Sequence, residues 1–203
     1  MSVVHVIDTL AEWAKENICK GVQLKMPPKN MESIDEDYRY ETVTPSVFAM
    51  YVPTSEKLPP SIHSPFPSLC VRFVKGTDEL SGNTGHLDVQ FCFSAWDPGT
   101  HGQDVFHPNG DGTFSKKDQA HAEYERNGNG WRDVWNFVDT ALRAVESVTS
   151  IGGYTIDRQT PIEFGPLTEQ ESIPDFYPFW FAWLSFRINY PLRRNNEDLQ
   201  IYL

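Results

Sequence analysis

Residues 179–190 carry the most continuous apolar pattern in the chain. Read as a β-strand, the segment has one unbroken apolar face, formed by Trp180, Ala182, Leu184, Phe186, Ile188 and Tyr190. The opposite face begins with Phe179, Phe181 and Trp183 and turns polar only after them. Because a strand needs only one apolar face to join a core, the second face near Trp183 must be covered. The cover is either another part of the chain or another molecule.

Two segments have the period of an amphipathic helix. The first begins after Ser2, a plausible cap, and ends near Gly21; its apolar positions are Val4, Ile7, Leu10, Ala11, Ala14 and Ile18. The second is the stronger and is expected to close at Gly152-Gly153; its apolar face comprises Trp131, Val134, Trp135, Val138, Ala141, Leu142 and Val145. Since each helix has one apolar stripe, each is expected to pack on a sheet, with Trp131 and Trp135 against it.

The remaining patterns predict strands separated by long irregular segments. The further strands are expected at residues 46–52, 69–74, 87–93 and about 154–164. Residues 25–42 are predicted to be loop, 53–68 a proline-rich arm, and 94–129 a long loop that works as a lid or contact arm, with a possible short helix near residues 116–126. The order of elements predicts a single α+β domain over residues 1–203, with an antiparallel or mixed sheet and both helices on one face.

The composition of the chain narrows the classes of partner that it can bind. The 203 residues carry a net charge of −11, which argues against phosphate-driven binding to nucleic acid and against binding to an anionic membrane surface. No apolar run approaches the roughly 20 residues of a membrane-spanning helix. The cysteines, Cys19, Cys70 and Cys92, are odd in number and widely spaced, so buried free thiols are expected.

Candidate catalytic chemistry is sparse. The nucleophile-elbow, phosphate-loop, dinucleotide and zinc-protease motifs are all missing from the sequence. One set of potential metal ligands lies in the long loop: His101, Asp104, His107, Asp111 and His121. Their spacing matches no known ligand pattern, so a solvated polar loop is favoured. The sequence therefore predicts no catalytic residue, no metal and no cofactor.

Aromatic residues are the remaining signal. Phe176 and Tyr177 precede Phe179, Phe181 and Trp183 in the chain. Two interpretations stand: these rings form a satellite cluster under a loop, or they form an interface, because contiguous exposed aromatics usually mark a contact surface. A further aromatic, Trp13, lies beside the apolar stripe of the first helix and is expected to edge either the core or a partner.

Several segments resemble the tail terminator, or tail completion, proteins of long-tailed phages and contractile phage-like particles. The resemblance lies in the first helix, in the strand entries Thr44-Pro45-Ser46-Val47-Phe48 and Pro67-Ser68-Leu69-Cys70-Val71-Arg72-Phe73, and in the stretch Gly130-Trp131-Arg132-Asp133-Val134-Trp135-Asn136-Phe137-Val138-Asp139. It continues in Asp175-Phe176-Tyr177-Pro178 before a long strand. It covers most of the chain in element order.

The resemblance implies a non-enzymatic virion protein of the tail neck, assembled in the cytoplasm of a host bacterium. Its partners would be sister subunits in a hexameric ring, the tail tube protein, the head–tail connector and the sheath, while DNA passes through the lumen without specific binding. The aromatic residues named above, Trp13 included, would then serve as contacts. The alternatives are another neck or head–tail joining protein and a metal-dependent hydrolase that uses the His/Asp loop.

Overall fold

The computed structural model describes residues 3–27, 41–78, 84–98, 106–108, 114–116, 130–168 and 173–191. The two helices are α1 (Val3–Asn17) and α2 (Trp131–Glu146). The strands in chain order are β1 (Leu24–Lys25), β2 (Thr42–Val43), β3 (Ser46–Ala49), β4 (Ser68–Asp78), β5 (Thr84–Trp96), β6 (Phe106–Pro108), β7 (Phe114–Lys116), β8 (Ser150–Ile151), β9 (Tyr154–Ile156), β10 (Glu163–Pro166) and β11 (Phe179–Pro191).

Seven strands form one mixed sheet in the order β3-β4-β5-β11-β9-β8, and β10 pairs with β11 beside β9. The centre is the antiparallel pair β5–β11, which is in register from Phe179 opposite Trp96 to Pro191 opposite Thr84. The pairing of β3 with β4 is parallel, so the sheet is mixed rather than wholly antiparallel. Together with the two helices it confirms the α+β class.

Both helices cover the same buried core. The core side chains of β5 include Leu87, Val89, Phe91 and Phe93, and their partners in β11 are Ile188, Phe186, Leu184 and Ala182. These are the even positions of residues 179–190 that the alternation assigned to the core. Leu10 of α1 and Val138 of α2 belong to the same cluster. The helix periodicity missed Phe137, which is fully buried and packs edge-on against Phe93 at 5.0 Å between ring centroids.

Several predicted boundaries were wrong because backbone pairing, and not the alternation of side chains, sets where a strand ends. Strand β5 continues through residues 94–96, the first three of the predicted 94–129 loop, because β11 pairs with it there. Within the same loop, β6 and β7 pair as an antiparallel hairpin. The predicted helix at 116–126 begins in β7 and otherwise lies outside the described residues. Strand β3 ends at Ala49, short of the predicted residue 52.

Two further corrections concern the region after α2. The helix ends at Glu146, whereas Gly152 and Gly153 form the turn of the β8–β9 hairpin with positive φ angles of 57° and 89°. Positive φ at both central residues is what a tight two-residue hairpin turn requires. The single strand predicted at 154–164 is two strands, because the carboxylate of Asp157 accepts hydrogen bonds from Gln159 and Thr160 and turns the chain.

Candidate protein interface

A groove of about 360 Å³ opens at the end of the sheet where β11 begins. Its walls are the first turns of α2, the end of β10 and residues 173–181, which lead into β11. Trp131, Trp135 and Trp180 line it, and its lining is mostly aromatic and aliphatic. An apolar concave surface of this size is suited to binding apolar side chains.

Exposed apolar side chains concentrate at this groove. Of the ten large hydrophobic residues exposed in the described part of the chain, four line the groove: Trp131, Leu167, Ile173 and Phe176. A fifth, Phe164, stands edge-on to the groove residue Trp135 at 6.3 Å between ring centroids. Single exposed hydrophobics are ordinary, whereas a contiguous group marks a contact surface. We call these five residues the apolar rim.

The structure brings together four of the six predicted interface residues. Phe176, Tyr177, Phe179 and Phe181 line the groove. Trp183 lies farther along β11 and donates a hydrogen bond from Nε1 to the Pro166 carbonyl oxygen at 3.0 Å. The sixth, Trp13, packs half-buried against the core from α1 and does not line the groove.

The second face of β11 is partly covered by the chain itself. The ring of Phe66, at the end of the proline-rich arm, packs on Phe179 at 5.1 Å and on Phe181 at 6.0 Å between centroids. Phe176 meets Phe181 edge-on at 5.6 Å. Phe179, Phe181 and Trp183 are all half-buried. The predicted satellite cluster therefore exists, and its outer edge continues into the apolar rim.

An ion pair holds the chain next to the groove. Lys25 Nζ lies 2.7 Å from Oδ1 of Asp97, whose side chain is fully buried. The Asp97 carbonyl oxygen accepts a hydrogen bond of 2.8 Å from Nε1 of Trp180, and its N–H donates to the Pro178 carbonyl oxygen at 3.0 Å. The hydroxyl of Tyr177 donates to the Pro98 carbonyl oxygen at 2.9 Å. The exit of the chain after β5 is thus fixed to the residues that line the groove.

The re-entry of the chain is fixed at the same place. A Cβ atom on Gly130, just before α2, would lie 2.2 Å from the Asp97 carbonyl oxygen and 2.4 Å from Trp180 Nε1. Only glycine permits so close an approach. Both ends of the segment between Pro98 and Gly130 therefore meet at one point beside the groove.

Sequence reasoning missed most of the apolar rim. Trp131 was assigned to the core face of α2, but it is 44% exposed and the guanidinium of Arg132 lies 5.3 Å from its ring centroid. The available signal was its position as the first residue of α2. Ile173 carried a signal too, since it is an isolated apolar residue in a polar, proline-containing turn.

The cysteines behave as buried thiols. Burial raises the pKa of Cys19 to about 12 and that of Cys70 to about 11. Burial also raises the pKa of Cys92, which is half-buried next to Cys70 in the sheet. All three are free, as predicted, and stay protonated and weakly nucleophilic near neutral pH.

Among the residues that the structure describes, no group of three or more His, Cys, Asp or Glu side chains is placed to hold a metal ion. The candidate ligands His101, Asp104, Asp111 and His121 lie outside those residues, and only the backbone of His107, in β6, is described. The prediction for that loop stays untested. Neither helix in this part of the chain has the length and apolarity to span a bilayer.

Comparison of the sequence with protein-family models and with curated proteins gives no match.

Proposed function

We propose that the chain is a structural assembly protein: a tail terminator that forms a ring, caps the tail tube, stops its elongation and offers a docking surface to the head connector. The supporting observation is the gathering of exposed apolar side chains at one groove, next to the aromatic residues expected to make contacts. The proposal places the protein in the neck of a virion assembled in a bacterial cytoplasm. It assigns the groove to protein–protein contact and assigns no catalytic residue.

The physics of assembly supports this assignment. A ring requires a head-to-tail interface on every subunit, so each copy must expose one surface that a different surface of the next copy fills. The groove and apolar rim supply one such surface. The net charge of −11 suits a conduit wall that repels DNA, so that the genome slides through without adhering.

The test removes two side chains of the apolar rim without touching the core. Ile173 is 69% exposed and Phe176 is 46% exposed, so Ile173→Ser with Phe176→Ser should leave the fold intact. Each truncated contact residue is expected to cost about 1–2 kcal/mol of association, or roughly tenfold in affinity apiece. The matched control is Val74→Ser, which removes an apolar side chain of intermediate exposure (60%, between those of Ile173 and Phe176) from β4, away from the groove.

Native mass spectrometry and sedimentation, with and without purified tail tube protein, provide the measurement. We expect rings and tube binding for the wild type and the control, and weakened association for the double variant at an unchanged Tm. A chain that stays monomeric at all concentrations and never binds tube contradicts the proposal. Localisation of a labelled chain to the portal side of the neck would instead make it a head–tail joining protein.

A further inference from the structure

We propose that Cys92 and Cys70 form an oxidation site, in which a hydroperoxide converts Cys92 to a sulfenic acid and Cys70 then closes a disulfide with it. Neither cysteine lines the groove, so the site does not depend on the proposed function. Cys70 on β4 lies directly opposite Cys92 on β5, within a run of antiparallel pairs whose register shifts only after Phe73. Directly opposite residues project from the same face of a sheet.

Both thiols project from the face of the sheet that the helices leave uncovered. The residues on either side of each cysteine belong to the buried core: Leu69, Val71, Phe91 and Phe93. Because side chains alternate along a strand, the cysteines point away from that core. Cys70 is only 5% exposed, whereas Cys92 is half-buried. A hydroperoxide that arrives from solvent therefore reaches Cys92 first.

The flanking pairs on this face show how closely opposite side chains approach. The hydroxyl oxygens of Ser68 and Ser94 lie 2.8 Å apart, and Nε of Arg72 donates to Oε1 of Gln90 at 2.8 Å. The two cysteines occupy the position between these pairs. Opposite Cα atoms in an antiparallel pair are about 4.5–5.5 Å apart, within the roughly 4.4–6.8 Å that a disulfide spans. The register thus places the two sulfur atoms within reach of one bond.

Two polar side chains act on the Cys92 thiol. Its Sγ donates to Oε1 of Gln90 at 3.6 Å, so the thiol leaves this hydrogen bond and turns toward Cys70 before a disulfide closes. Burial raises the pKa of Cys92, while the charge of Arg72 and a hydrogen bond from it lower that pKa in part. Burial, and after it the charge of Cys92, raises the pKa of Cys70 to about 11. Cys92 is therefore the attacking thiol and Cys70 the resolving one.

The reaction balances with the hydroperoxide as a two-electron oxidant. The Cys92 sulfur attacks the terminal peroxide oxygen; an S–O bond forms, the O–O bond breaks, and the leaving oxygen takes the thiol proton to become an alcohol, or water from hydrogen peroxide. The Cys70 sulfur then attacks the sulfenic sulfur. The S–S bond forms, the S–O bond breaks, and hydroxide leaves with the Cys70 proton as water. Both sulfurs are oxidised and the peroxide is reduced.

Oxidation of the full, folded chain with hydrogen peroxide tests the proposal, at mildly alkaline pH where more of the thiol is thiolate. We expect the wild type to lose two hydrogen masses and to keep one of its three alkylatable thiols, Cys19. Trypsin places the three cysteines on different peptides. Mass spectrometry of the digest should show residues 58–72 joined to residues 76–116, and dithiothreitol should restore both thiols.

Two matched serine variants separate the roles of the cysteines. In Cys70→Ser no bond can close, so Cys92 should stay a sulfenic acid and react with a 1,3-dione probe that leaves the wild type unlabelled. In Cys92→Ser the thiol of Cys70 should remain alkylatable after the same treatment, because it is buried from the peroxide.

Three results would overturn the proposal. Cys70 and Cys92 could both stay alkylatable in the wild type at every peroxide concentration that leaves its circular dichroism unchanged. The disulfide could instead include Cys19 or join two molecules, seen as a doubled mass. The dione probe could label Cys92 of the wild type as strongly as that of Cys70→Ser, which would show that the two sulfurs do not meet. The linkage in the wild type decides the matter even where a serine variant fails to fold.

Discussion

Replacing Lys25 by Met should strongly destabilise the protein. The carboxylate of Asp97 is fully buried, whereas the Lys25 side chain is 14% exposed, and their charged atoms are 2.7 Å apart. Removing the lysine leaves a negative charge buried without this partner. Breaking a buried pair in this way costs about 3–5 kcal/mol, a large share of a typical stability of about 5–15 kcal/mol.

Because the two partners are buried unequally, the two single substitutions should lose different amounts of stability. In Asp97→Asn the remaining charge belongs to Lys25, whose longer and partly exposed side chain turns its ammonium to water. That variant should lose only about 1–3 kcal/mol, the value of a charged hydrogen bond. The double variant Lys25→Met with Asp97→Asn should be more stable than Lys25→Met alone, because no charge stays buried.

Urea unfolding followed by tryptophan fluorescence measures these free energies, and the Trp180 ring, which donates to the Asp97 carbonyl oxygen, reports locally. A double-mutant cycle then gives the coupling between the two side chains. Equal losses for Lys25→Met and Asp97→Asn, or additive losses in the double variant, would refute the reasoning, since the ion pair would then behave as a solvent-screened surface pair. Lys20→Met, which removes the exposed Glu16–Lys20 pair, is the control and should leave the midpoint of urea unfolding nearly unchanged, because solvent screens an exposed pair.

Two further predictions concern single positions. Gly152→Ala should cost about 2–4 kcal/mol in urea unfolding, because residue 152 has φ +57° and its new Cβ would lie 2.1 Å from Cγ2 of Thr9. Adding Thr9→Ala should recover only the part of this loss that comes from the steric clash. Full recovery would show that the backbone angle costs nothing. Stability should also fall as pH rises above 9, because the unfolded state releases the Cys19 proton near pH 9.0 while burial holds the folded-state pKa at about 12. By pH 10.5 this group accounts for roughly 2 kcal/mol, and a Cys19→Ala variant with the same alkaline slope as the wild type would contradict it.

Periodicity predicted the core faces well and the strand ends poorly. The even positions of β11 face the core as expected, because the apolar face of a strand is encoded in residues two apart. The end of β5 was missed at Ser94, where the alternation stops. Ser94 pairs with Ser68 on β4 and with Phe181 on β11, and its hydroxyl lies 2.8 Å from that of Ser68. Because β5 pairs with β4 and β11 through its backbone, the strand continues beyond the residues whose side chains alternate.

Only the aromatic residues of β11 in the candidate site were predictable from the sequence; the residues that contact them were not. The surplus of aromatic rings on the second face of β11 is a local property of residues 179–183, so it was visible in the sequence. The partner that covers it, Phe66, lies in a proline-rich arm with no periodicity to link it to β11. The rim residues Trp131 and Ile173 are likewise brought to one groove from distant parts of the chain.

The sequence by itself determined which side chains avoid water and on which face of each helix or strand they lie, because these depend on repeats of two or 3.6 residues. Only the tertiary structure decided which surfaces meet. The Lys25–Asp97 pair joins positions 72 residues apart, and the Asp97 carbonyl oxygen accepts from Trp180, 83 residues farther along. Contacts at such separations depend on the path of the whole chain, so no local pattern encodes them, and the groove that they frame exists only in the folded molecule.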